Sequence, residues 1–151
     1  MRFFLIDRIS QWEVGVRAEA QKNVALSEDY FDDHFPRRPI MPGVLILEGM
    51  AQLAGLLLEA SLKERFAREA KAVLTILEKT TFREMIKPGD SLTYQAEVSA
   101  LNETGGKAAV RALLASRLVA STQMVFTFRA VEDPRLEEKR SALMKIWLAE
   151  P

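Results

Sequence analysis

From Val44 to Leu58 the chain is apolar apart from Glu48 and Gln52. Pro42 suits the first turn of a helix and Gly43 follows it, so this run reads as one helix from Gly43 to about Phe66, with Lys63, Arg65 and Arg68 near the end where the helix dipole favours cations. A helix with so little polar surface cannot simply rest on one side of a sheet. It has to be wrapped, and the rest of the chain must supply the wrapping.

The remaining segments read as strands. Val14, Val16, Ala18 and Ala20 alternate with Glu13, Gly15, Arg17 and Glu19, the pattern of a strand with one buried face. Ser27-Glu28-Asp29 opens a turn or short helix. Ala72 to Ile76 is a strand, followed by Thr80-Thr81-Phe82. Lys87-Pro88-Gly89-Asp90 is a turn, and Leu92, Tyr94, Ala96, Val98 and Ala100 alternate with polar residues as a further strand. Glu103-Thr104-Gly105-Gly106-Lys107 makes a hairpin turn between that strand and two more, Ala108 to Leu118 and Thr122 to Val131. Asp133-Pro134 caps a terminal helix, 134–148, whose Leu136, Leu143, Ile146 and Trp147 are read as sharing a packing face, or else a partner surface. Strand, long apolar helix and then several antiparallel strands make an α+β protein. A curled antiparallel sheet around a central helix, the hot-dog architecture, meets the demand for wrapping. No linker, repeat or low-complexity stretch divides residues 1–151, which are expected to form one hot-dog domain with the terminal helix appended.

Composition narrows the function. The 21 basic and 21 acidic residues cancel, which argues against broad nucleic-acid or membrane-surface binding. Without cysteine there is no disulfide frame, thiolate metal site or cysteine nucleophile, and a single histidine makes a histidine-built metal centre improbable. Charge appears too early in Met1-Arg2-Phe3-Phe4-Leu5-Ile6-Asp7-Arg8 for a secretory leader, and no apolar run is read as a membrane span, so a cytoplasmic protein is expected.

The chemistry points to one stretch. His34 lies in a loop stiffened by Pro36, Pro39 and Pro42, and Glu48 follows fourteen residues later inside the apolar helix. A histidine and a carboxyl group set by a rigid loop and a helix start can do acid–base work on a substrate carried along an apolar surface. Each residue also has a plainer reading. A lone loop histidine is usually a satisfied or surface residue, and Glu48 shares a helical stripe with Gln52, Gly55, Glu59 and Lys63 that reads equally as a solvated side. Arg37, Arg38, Arg83 and Lys87 are either solubilising charges or a docking patch for an acidic carrier protein.

The stretch His34-Phe35-Pro36…Pro39-Ile40…Pro42-Gly43-Val44-Leu45-Ile46-Leu47-Glu48…Met50-Ala51-Gln52 closely resembles the active-site motif of the 3-hydroxyacyl-acyl-carrier-protein dehydratases of fatty-acid synthesis. Leu5-Ile6-Asp7-Arg8-Ile9, Lys22-Asn23-Val24 and Thr81-Phe82-Arg83…Ile86-Lys87-Pro88-Gly89-Asp90 resemble further blocks of that family in the same order. The similarity spans roughly residues 3 to 130. The resemblance implies a hot-dog dehydratase of the glutamate branch, since the dehydratase-isomerases place aspartate where Glu48 stands. It implies His34 as the base for the α-proton and Glu48 as the group that serves the leaving β-hydroxyl. It implies Gly43 as the N–H facing the thioester carbonyl, Gln52 as the residue orienting Glu48, and Phe35, Met41 and Phe82 as substrate contacts.

The implied reaction converts a (3R)-hydroxyacyl thioester to the trans-2-enoyl thioester, in fatty-acid or related lipid or polyketide-like synthesis. No metal or cofactor is expected beyond the phosphopantetheine of the acyl carrier protein, which is the implied partner. In the family, the histidine and the carboxylate of one site come from different subunits, so a homodimer or an assembly of dimers is expected. Asp33 and Arg37 stand where the family has glycines, and the family's segment upstream of Arg2 has no counterpart here. A hot-dog acyl-thioester hydrolase and a non-catalytic acyl-binding subunit are the alternatives.

Overall fold

A computed structural model describes residues 3–130 and 133–149. Six strands form one antiparallel sheet in the order β1-β2-β4-β5-β6-β3, comprising β1 (Arg8–Glu13), β2 (Arg17–Asn23), β3 (Lys71–Phe82), β4 (Ser91–Leu101), β5 (Gly105–Leu114) and β6 (Arg117–Arg129). Helix α1 (Gly43–Phe66) lies against the inner face, and α2 (Pro134–Trp147) comes last.

The helix is enclosed. All six consecutive residues from Leu53 to Leu58 are buried. At 3.6 residues per turn, six residues pass more than once round the axis, so every side of α1 is covered there. By length and apolarity α1 would suffice to cross a membrane, a correction to the expectation that no run reaches a span. In the folded chain its middle is instead core.

The sheet can approach the helix because its inner rows are small. Ala20, Tyr94, Ala112 and Ala120 are register partners across four adjacent strands, and all four are fully buried. The next row runs Ala18, Ala96, Val110 and Thr122. One large side chain, Tyr94, rises from a floor of alanines, and α1 presents Gly49 to it. A Cβ on Gly49 would lie 2.3 Å from the Tyr94 hydroxyl oxygen. Helix α1 ends at Ala67, which turns left-handed at φ 53° while its N–H donates to the Lys63 carbonyl.

Three sequence expectations need correction. The Val14–Ala20 alternation is not one strand, because Gly15 at φ 84° turns the chain between β1 and β2, and only Ala18 and Ala20 of that set are fully buried. The stretch Ala108 to Leu118 is broken by a turn at Ala115, whose φ of 56° carries no glycine signature, and Val131 lies outside the described residues. On α2, Leu136 and Ile146 are exposed. The inward stripe is Arg140, Leu143, Met144 and Trp147, and the Trp147 indole N–H donates to the Ile6 carbonyl at 2.9 Å. The cap at Asp133 is as expected, its carboxylate accepting from the Arg135 N–H at 2.9 Å.

Gly49→Ala tests the close approach. The added methyl has to push Tyr94 out of the alanine floor, and overpacking of this kind costs about 1–3 kcal/mol. Urea unfolding should show that loss, and adding Tyr94→Phe, which removes the nearest atom, should recover part of it.

Candidate active site

His34 is held on three sides. Its N–H donates to the Tyr30 carbonyl at 3.0 Å, at the end of a 3-10 turn (Asp29–Asp32), and its carbonyl accepts from Ile40 N–H at 2.9 Å. Phe35 and Arg38 exchange backbone hydrogen bonds across the tip of the loop, and Met41 N–H donates to the Ile86 carbonyl at 2.8 Å, fastening the loop to the segment before β4. The imidazole Nδ1 lies 2.7 Å from the Ile40 carbonyl oxygen, and the Phe35 ring stacks on it at 4.2 Å. A carbonyl only accepts, so Nδ1 carries the proton and the neutral ring presents an open lone pair at Nε2. That is the tautomer a general base needs.

The anchor of this segment is a charge pair. Lys22, on the inner side of β2, is buried and donates to Glu28 at 2.5 Å, just before the 3-10 turn. Its alternation with Ala18 and Ala20 was a readable signal, since an inward lysine demands a partner.

Glu48 is half-buried on α1 and accepts from the Gln52 amide at 3.2 Å. The same amide donates to the Phe3 carbonyl at 3.0 Å, and the Gln52 oxygen accepts from Leu5 N–H at 3.0 Å. Gln52 thus clips residues 3–5 to α1 while orienting the carboxyl group. Glu48, Gln52, Gly55 and Glu59 line a cavity of about 970 Å³ bounded by β3, the N-terminal segment and α2. The polar stripe therefore faces a partly open cavity, with Phe3, Phe4 and Leu136 of its lining about half exposed. Lys63, exposed and paired with Glu69 at 3.1 Å, is not part of its lining.

At the cavity wall Glu59 accepts from Ala72 N–H at 2.7 Å and pairs with Arg140 of α2 at 2.5 Å. Burial pushes its carboxyl pKa above the ordinary 4.5, and the opposing pull of Arg140 and the Ala72 N–H does not cancel the shift. Neither this pair nor the Ile40 carbonyl was foreseen from the sequence. The first needed the position of α2, and the second is a backbone atom that any residue supplies.

Gly43 opens α1, so its N–H has no intrahelical acceptor. The Phe82 ring lies over it, and a Cβ on Gly43 would come within 2.9 Å of that ring. Met41 is in the core, whereas Phe35 and Phe82 are half exposed. Arg37 and Arg38 at the loop tip, and Arg83 and Lys87 before β4, are all exposed on the two segments joined by the Met41–Ile86 hydrogen bond. Asp33 is also exposed, and among the described residues no ion pair joins it to Arg37 or Arg38. His34 is not among the residues lining the cavity that holds Glu48. No group of three metal-ligating side chains occurs among the described residues.

The family model for the FabA-like domain matches residues 1–129. The chain belongs to this family. It is 44% identical over 126 residues to 3-hydroxyacyl-acyl-carrier-protein dehydratase FabZ of Chlamydia trachomatis serovar L2, covering 82% of this chain and 81% of that one. Against the FabZ of Caldicellulosiruptor bescii the identity is 38% over 127 residues, with 84% and 89% covered. The dehydratase heterocomplex ApeI:P of Xenorhabdus doucetiae superposes with a TM-score of 0.68 at 12% identity, over 91% of this chain and 90% of that one. A hypothetical thioesterase with coenzyme A from Streptococcus pneumoniae gives 0.62 at 14% identity, over 83% and 88%. At such identities the two structures share the hot-dog fold with this chain and carry no argument about its chemistry. Helix α2 lies past the residues that the FabA-like model matches.

The raised pKa of Glu59 has a consequence for stability. A carboxyl that binds its proton more tightly when folded contributes stability fully below its unfolded value, near 4.5, and loses it as pH climbs through the raised value. Relative to Glu59→Gln, the parent should therefore gain stability as pH falls from neutral toward 4.5. Urea midpoints of both proteins across that range check the sign.

Proposed function

We propose that this chain is a hydro-lyase that removes water from a 3-hydroxyacyl group held as a thioester on acyl carrier protein, leaving the trans-2-enoyl thioester. The observation that carries the reading is the His34 ring, fixed by the Ile40 carbonyl in the tautomer of a base, on the loop that leads directly into the helix bearing Glu48. The names of the relatives at 38–44% identity support the substrate class.

In this reading Nε2 of His34 takes the proton from C2 of the substrate. The electron pair moves toward the thioester carbonyl, whose oxygen is met by the Gly43 N–H at the positive end of α1. The bond between C3 and its hydroxyl oxygen breaks as the Glu48 carboxyl group gives that oxygen a proton, and water leaves. Transfer of the proton on His34 back to Glu48 resets the pair. The protein's covalent part is proton transfer alone and the elimination of water is redox-neutral overall, so it calls for no redox cofactor. The substrate's phosphopantetheine arm ties it to the carrier protein, and Arg37, Arg38, Arg83 and Lys87 on their adjoining segments suit an acidic carrier surface.

A second copy of the chain completes the site. Strand β3 ends the sheet, and Val73, Ile76 and Leu77 on it are exposed apolar residues. A long apolar edge of this kind is normally covered. Pairing along β3 would extend the sheet and set His34 and Gly43 of one copy against Glu48 of the other, which fits the absence of His34 from the lining of the cavity around Glu48.

Glu48→Gln and His34→Ala should each lower turnover of a 3-hydroxyacyl carrier by about 100- to 10,000-fold while the protein still folds. Co-expressing the two variants tests the shared site. Random pairing in a two-fold dimer makes half the dimers mixed, each with one intact site of two, so about a quarter of parental activity should return. Near-normal turnover in either single variant would remove that residue from the mechanism. No recovery on co-expression would mean that the site is not shared. Mass spectrometry of the product should show loss of water with the thioester intact.

A further inference from the structure

We propose that α2 bounds the far end of the acyl-chain site beside Glu48 and so sets the longest chain accepted. The proposal rests on the dehydratase reading and adds to it a specificity element made from a segment outside the family match.

The cavity has the size of a small-molecule site, about 970 Å³. Glu48 and Gln52 stand at one end, and the stripe continues through Gly55 to Glu59. From Glu48 to Glu59 is eleven residues, about 16 Å along a helix. Apolar side chains cover part of the length between them, with Phe4, Leu74 and Phe126 on the body of the fold, Leu143 and Trp147 from the inward stripe of α2, and the half-exposed Leu136 also from α2. A methylene chain extending from a reacting C3 at Glu48 would run along these apolar residues, while Lys71, Arg129, Asp133, Glu137 and Lys139 stand on the same lining.

Gly55 marks the space as used. A Cβ there would find its nearest neighbours at 3.6 Å and 3.8 Å, ordinary contact distances, so packing does not demand glycine. A glycine inside a helix costs about 1 kcal/mol against alanine. The room it leaves opens on the cavity.

The far end is fixed. The Glu59–Arg140 pair ties α1 to α2, and Glu59 is further held by the Ala72 N–H. An alkyl chain cannot displace a largely buried charge pair without leaving charge unpaired. Farther along α2, the buried hydrogen bond from Trp147 to the Ile6 carbonyl holds the helix against the start of the sheet. The end wall is thus a braced helix.

The test is kcat/KM over 3-hydroxyacyl carrier substrates from butyryl to hexadecanoyl length, for the parent, Gly55→Ala, Leu136→Trp and Leu143→Ala, with sedimentation of each protein. The shortest substrate should be handled alike by all four. Gly55→Ala and Leu136→Trp should cut turnover of the longest accepted chains about 10-fold or more, the effect of roughly one methylene of misfit, whereas Leu143→Ala should move the limit to longer chains. If the parent dehydrates none of the series, the dehydratase reading fails. If it does and all variants keep its chain-length profile, the chain-length proposal alone is overturned. A shift in sedimentation with an unchanged profile would identify the cavity as a protein contact and overturn the proposal equally.

Discussion

Enclosing α1 is the constraint on which the rest of the structure depends. A helix buried on all sides over Leu53–Leu58 needs a sheet that curls, and a curled sheet can close on a helix only if its inner rows are small. The rows Ala20–Tyr94–Ala112–Ala120 and Ala18–Ala96–Val110–Thr122 supply that. Bulges in β3 at Leu74–Ile76 and Glu78–Thr81 bend the last strand, with Lys79 left-handed at φ 52°.

The candidate site occupies the gap in this enclosure. The sheet leaves one side of α1 open, and the polar residues of the helix lie along that opening. Gln52 fastens the N-terminal segment on one side of the gap, and Glu59 fastens α2 on the other. His34 is positioned by other means. A loop closed by Tyr30 and Ile40 and braced by Met41 against Ile86 carries it to the start of the same helix. The residues given chemical roles sit where core packing gives way.

Much of this was legible in the sequence, and the failures have physical reasons. Helix α1 could be read to its last residue because its apolar run is long and starts at Pro42-Gly43. The turn at Gly89 and the strand alternation of Leu92, Tyr94 and Ala96 were equally plain. The hairpin at Gly15 was missed because the alternation runs through the turn on both sides, and the turn at Ala115 was missed because alanine takes the left-handed backbone there. The face of α2 was misjudged because apolar character at Leu136 and Ile146 outweighed the amphipathic Arg140, whose partner Glu59 lies 81 residues away in sequence. At the site, His34 and Glu48 stood out by type and spacing, and the family resemblance pointed to Gln52. The atom that sets the histidine tautomer is a main-chain oxygen and leaves no mark in the sequence.

The apolarity of α1 also bears on the order in which the chain can be made. Residues 43–66 leave the ribosome before β3 to β6, so for a time a helix with the length and apolarity of a membrane span has nothing to cover it. The β4–β5–β6 meander forms by local hairpin contacts once it is synthesised, whereas β2 must wait to pair with β4 from some 75 positions earlier and β3 must cross over to reach β6. Glu48, Gln52 and Glu59 give the waiting helix a polar side. Carboxylates within an apolar helix oppose its insertion into a bilayer. The residues proposed to handle substrate in the finished protein therefore also help keep the unfinished one in water.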